Sequence, residues 1–151
     1  MKAHAMVAAG LLFVSLPATG QGAKQIAANE GSYFGSNSSY KTAYLDQAGK
    51  NYSMALKSTN DGIVESAIAY MTFMRITVPT LDLKENRAQI VRLSESGKTP
   101  VIRYKAYLAT VVFDSPASFQ DIVKEEYKNG DEFFDVIGKQ VHRTLLGQNI
   151  K

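Results

Sequence analysis

Residues 99–112 read TPVIRYKAYLATVV, and the choice between helix and strand for this stretch decides the fold. Its end, continued by Phe113 as ATVVF (109–113), favours a strand on β-branched content alone. Its beginning points the other way. Thr99 is a hydroxyl residue suited to an N-cap, and Pro100 follows at the first helical position, where its missing N–H costs nothing. No turn signal separates that start from Val112, so the pattern predicts one helix running to about Phe113. Within it Ile102 stands one turn before Ala106, and Arg103 falls in the first turn. A small residue at that place lets a neighbouring helix come close, while the branched residue before it packs back on the turn.

Working outward, the same start recurs at once. Ser115 and Pro116 predict another capped helix whose Phe119, Ile122, Val123 and Tyr127 face inward before Gly130. Asp131 opens a last helix with a Phe134, Ile137, Val141, Leu145 stripe, ended by Gly147. Upstream, Leu83 to Ser96 aligns Ile90, Val91 and Leu93, and Gly97 stands where a left-handed C-terminal cap belongs. Ile63, Ala67, Tyr70, Met71 and Met74 mark an inward face until Val78-Pro79 stops that helix. Tyr40, Tyr44, Ala48, Tyr52 and Leu56 mark the first, with Ser38 or Ser39 as its cap. Six helices on short turns give an all-α fold.

The amino terminus is of a different kind. Lys2, the apolar run Met6 to Leu16 and the small residues Ala18-Thr19-Gly20 form a cleavable secretory signal, residues 1–22. That run is far short of the about 20 residues a membrane span needs, so no stable membrane insertion is expected after cleavage. A secreted or periplasmic location follows. Residues 23–39 are an extended lead-in broken by Gly31, Gly35 and several Ser and Asn, with Tyr33 and Phe34 tucked onto the domain formed by 40–151. The chain has no Cys, which excludes disulfides and thiolate metal sites.

Three places share one spacing: Ile63 with Ala67, Ile102 with Ala106, and Phe134 with Gly138. Each pair follows a turn and puts a bulky residue one turn before a small one, and Met54 and Leu93 stand equally far ahead of the first two. LSESGKTPVIRYKAYLATVV (93–112) resembles the HEAT-type helical repeat, an outer helix, a polar turn and an inner helix beginning Val-Arg-x-x-Ala. The resemblance covers residues 40–146. It departs at Val64 and Asp135, which stand where the repeat has its Arg. It implies a short stack of about three antiparallel helical hairpins, an α-solenoid fragment, and a structural role for Arg103 in bonding turn carbonyls or an acidic neighbour.

Chemistry-bearing motifs are sparse. SESGKT (94–99) lacks the upstream glycine of a phosphate loop, and Pro100 removes a needed N–H. Ser38-x-x-Lys41 lacks the companion motifs of its class. His142 has no His or Cys partner at helical spacing, and Glu125, Glu126, Asp131, Glu132 and Asp135 read as helix-end carboxylates. No catalytic residue, metal site or cofactor is expected, and the chain is read as a non-enzyme. The formal charge of +3, +2 without Lys2, comes from mixed-sign turns, so no nucleic-acid partner is expected. The expected function is binding of a protein or peptide on the helical surface, with Tyr70, Tyr104 and Tyr107 as contacts. The alternatives are a small-ligand carrier and a structural cell-envelope component capable of self-association, for which the lead-in is a natural cap.

Overall fold

A computed structural model describes residues 33–34 and 42–148. The expected signal peptide, and the lead-in apart from Tyr33 and Phe34, lie outside the described residues. Among those described, the secondary structure is helical throughout: α1 Thr42–Ala55, α2 Asp61–Thr77, α3 Lys84–Ser96, α4 Pro100–Asp114 and α5 Gly130–Gln148. The helical reading of 99–113 holds, and the local chemistry explains it. Thr99 Oγ1 accepts the Ile102 N–H at 3.1 Å, and Pro100 occupies the first turn. Asn60 caps α2 in the same way, its Oδ1 accepting from the Ile63 N–H at 3.3 Å. At α5, Asn129 Oδ1 accepts the Glu132 N–H at 2.9 Å, while the Glu132 carboxylate accepts the Lys128 N–H, a variant of the capping box.

The expected helix after Ser115 does not form. Two short 3-10 turns, Pro116–Phe119 and Ile122–Lys124, take its place, and Ser115 makes no side-chain cap. Phe119, Ile122 and Tyr127 are nonetheless buried, as their apolar character demands. Their i, i+3, i+8 spacing suits one face of an α-helix equally well, so burial of these side chains does not by itself select the 3-10 turns. The Tyr127 hydroxyl donates to the Ile122 carbonyl at 2.6 Å, which already accepts the Glu125 N–H, so the carbonyl serves a turn instead of an α-helical ladder.

Helix α2 is the centre of the molecule. It touches α1, α4, α5 and both 3-10 turns, and Val64, Ala67, Ile68, Ala69, Met71, Thr72, Phe73, Met74 and Ile76 are all buried along it. A helix apolar on every side is stable only when enclosed. The single inward face expected for this segment therefore understates its burial, with one exception: Ile63 is 47% exposed, and its neighbour Val64 fills the inner position. Met54 is likewise exposed. The buried set Val64, Ala67, Ile68, Met71 matches Ile102, Lys105, Ala106, Ala109 one residue out of step with the Ile63–Ile102 pairing.

Helices α3 and α4 fold back on each other through a three-residue turn. Arg87 near the start of α3 bonds Asp114 at the end of α4 at 2.6 Å, and Gly97 and Arg103 meet at the other end. Tyr52 of α1 stacks on Tyr70 of α2 with centroids 5.5 Å apart. Between these pairs the links join helices running the same way. Asn86 donates to the Gly49 carbonyl and Gln89 to Ser53 between α3 and α1, while Lys98, in the turn before α4, meets Asp61 at the start of α2, and Arg75 of α2 meets the Phe113 carbonyl of α4. Helix α5 rests on both α2 and α4.

The aromatic core lies where α2, α5 and residue 127 converge. Phe34, only 4% exposed, stacks on Phe73 with centroids 4.2 Å apart and meets Phe133 edge-on at 4.7 Å. The tucked position expected for Tyr33 and Phe34 is the one observed.

Candidate functional site

The outer face of α4 carries the exposed aromatics. Tyr104 is 56% exposed and Tyr107 48%, and half-buried Val111 continues the stripe one turn further. Positions i, i+3 and i+7 lie on one side of a helix, so the three form a ridge. The ridge stands on a helix held from both sides. At its first turn, Arg103 Nη1 donates to the Gly97 carbonyl at 2.6 Å, fastening α4 to the turn before it.

Gly97 itself is not left-handed. Its φ is −57° and ψ 145°, ordinary extended values, and its N–H closes α3 on the Leu93 carbonyl. What requires a glycine is space. A Cβ there would lie 2.5 Å from the Leu93 oxygen and 2.8 Å from Ile102 Cγ2. The residue expected to set a backbone conformation instead permits a close approach.

Lys105 is the feature that sequence reading missed. Beside two tyrosines on a helix it looks like a surface cation, yet it is 6% exposed. Its Nζ donates to Glu65 Oε2 of α2 at 2.5 Å and to Asp131 Oδ1 of α5 at 2.5 Å, so one ammonium joins three helices. Burial alone lowers a lysine's pKa, but the hydrogen bonds and charges of Asp131 and Glu65 outweigh it, and Lys105 is held above its ordinary value. The sequence carries one usable hint: Lys105 lies three residues after Ile102 and four before Ala109, on the apolar face.

Lys105 is turned inward and paired with carboxylates, while Arg103, half-buried and bonded to a neutral carbonyl, keeps its positive charge beside Tyr104. The Tyr104 ring leans over α5 at Gly138, where an added Cβ would stand 2.9 Å from its hydroxyl oxygen. Ala106 and Ala67 are buried at helix contacts, Ile102 is buried below the turn, and Phe134 anchors α5. Tyr70 is separate from the ridge. It is half-buried in the aromatic core, and its hydroxyl donates to the Tyr33 carbonyl at 2.7 Å.

The remaining polar candidates are dispersed. Lys98 pairs with Asp61 at 2.9 Å and Thr99 caps α4, so the last two residues of the phosphate-loop lookalike have structural roles. Asp131 binds Lys105, Glu132 binds the Lys128 N–H and Asp135 binds Lys139. Among the described residues no three His, Asp or Glu side chains gather where a metal ion could sit, and no helix is long and apolar enough to cross a membrane. A shallow groove of about 550 Å³ runs along α1 and α3, with Leu45, Met54, Leu83 and Asn86 in its lining. Comparison with known proteins returns no match: no family model, no curated protein and no solved structure is similar to this chain.

Proposed function

We propose that this chain is an exported, non-enzymatic binding module that holds a protein or peptide against the Tyr104, Tyr107, Val111 ridge. The observation that carries the reading is the pair of tyrosines about half exposed on a helix pinned at its cap, its first turn and its buried lysine. Tyrosine offers a large, rigid contact area at small entropic cost, and a pre-set helix adds no ordering cost on binding. A stack of HEAT-like hairpins is the architecture we favour. It is supported by polar links that join α1 to α3 and α2 to α4 across 36 to 40 residues of sequence, the spacing of one repeat. The 3-10 turns and the double contact of α5 mark where the stack ends. The groove along α1 favours a second reading, a small-ligand carrier.

The test is affinity capture with residues 23–151 from an extract of the cell envelope of the source organism, comparing wild type with Tyr104→Ala/Tyr107→Ala. Both rings are about half buried, so urea unfolding of the double variant is measured beside wild type, and a partner lost from a chain that stays folded reports the surface and not the fold. Identical captured proteins for both chains would refute the ridge as the contact. Amino-terminal sequencing of the exported protein, with a start near residue 23, tests the signal.

A further inference from the structure

Tyr33 and Phe34 are held as a bound peptide is held. The Tyr33 N–H donates to the Tyr127 carbonyl at 2.6 Å, and the Tyr33 carbonyl accepts the Tyr70 hydroxyl at 2.7 Å. One residue's two main-chain groups are thus both met by the domain, so that the dipeptide, which lies in a turn, is gripped through its backbone as a bound peptide can be. Beside it the Phe34 ring enters a slot walled by Phe73, stacked at an interplanar angle of 10°, and by Phe133 and Tyr70, both edge-on at 71° and 79°. Main-chain bonds supply affinity without sequence preference, and the slot selects an aromatic ring. The sequence around the pair is consistent with a short motif: between Ile26 and Tyr40 there is no other bulky apolar residue.

We propose that the cleft between α2, residue 127 and α5 is a receptor for a short Tyr-Phe segment, filled in the resting chain by its own residues 33–34. The same segment of a second copy can fill it in exchange. The exchange makes and breaks the same contacts on both sides, so it is nearly neutral in energy and is governed by the local concentration of the tethered segment. The site is distinct from the α4 ridge, and its success or failure leaves that reading untouched.

The experiment uses full mature chains and a fluorescent peptide of residues 29–39. Phe34→Ala removes the resident ring from the slot. The variant should bind the peptide at least tenfold more tightly than wild type does, and a peptide carrying the same Phe34→Ala change should not bind. A folded Phe34→Ala chain that ignores the wild-type peptide overturns the proposal. Should Phe34→Ala not fold, a protease site inserted after Asn37 in the wild-type chain lets the segment be cut free after folding. Replacement of the cut segment by labelled peptide supports exchange, and a cut segment that excess peptide never displaces refutes it.

Discussion

Substituting Gly97 by alanine discriminates between two reasons for a glycine at a helix end. The added methyl would sit 2.5 Å from the Leu93 oxygen and 2.8 Å from Ile102 Cγ2. Neither neighbour can yield freely: the oxygen accepts the Gly97 N–H at 2.9 Å, and Ile102 is buried at the base of α4. Relieving such overpacking costs about 1–3 kcal/mol. Moving the turn also stretches the bond from the Arg103 guanidinium to the Gly97 carbonyl, and a bond from a charged donor contributes about 1.5–3 kcal/mol. The lower entropy of an alanine chain in the unfolded state returns about 0.4–1 kcal/mol. The net loss expected is about 3 kcal/mol, which lowers the melting temperature of a domain this size by about 10 °C. Urea unfolding followed by circular dichroism measures it, with an unchanged m-value as the sign that only stability moved. Gly97→Asn sharpens the test. Asparagine tolerates a left-handed site, so if handedness mattered it would be far milder than alanine; with φ at −57° both should be equally harmful. An alanine variant within about 0.5 kcal/mol of wild type, on the scale of surface substitutions, would refute the steric argument.

Three further outcomes follow from the same contacts. Lys105→Met should cost only about 1–2 kcal/mol, because Glu65 and Asp131 have side chains 26% and 79% exposed and can regain water. Glu65→Ala with Asp131→Ala should cost about 3 kcal/mol or more, since it strands a buried ammonium; the reverse order in urea unfolding would refute the network. Stability should fall steeply above pH 10. Burial, then the charges of Glu125 and Glu132, push Tyr127 up to about 12, so between the unfolded and folded values only the unfolded chain loses its proton. Lys105 acts in the same direction, its contribution being full below its ordinary 10.5 and lost as pH rises through its higher folded value. Tyr127→Phe should be less stable by about 1 kcal/mol at pH 7 and show a shallower alkaline decline; equal slopes in pH-dependent unfolding would contradict this. Finally, Gly138→Ala should lie within about 1 kcal/mol of wild type, because the atom it meets is the free end of the exposed Tyr104 side chain and helix propensity improves.

The sequence by itself determined what depends on neighbours in the chain. Thr99 with Pro100 set the start of α4, against the strand preference of ATVVF, because a side-chain oxygen three residues from an N–H is a local geometry. The all-α class and the tucked aromatic pair were legible for related reasons, since helical spacing and an isolated apolar dipeptide are written in order along the chain. Tertiary structure decided what depends on groups far apart in sequence. The stretch after Ser115 repeats the Ser-Pro signal and carries a helical spacing at Phe119, Ile122 and Tyr127, but it turns into 3-10 segments that no Ser115 side chain caps and whose Ile122 carbonyl is held by the Tyr127 hydroxyl and the Glu125 N–H. Ile63 lost its inner place to Val64 because α2 is enclosed by several elements whose positions no local pattern encodes. Lys105 reads as a surface cation until Glu65 and Asp131, 40 and 26 residues away, arrive to neutralise it. A buried charge is tolerable only with its partners in place, and the chain order does not reveal which partners the fold will bring.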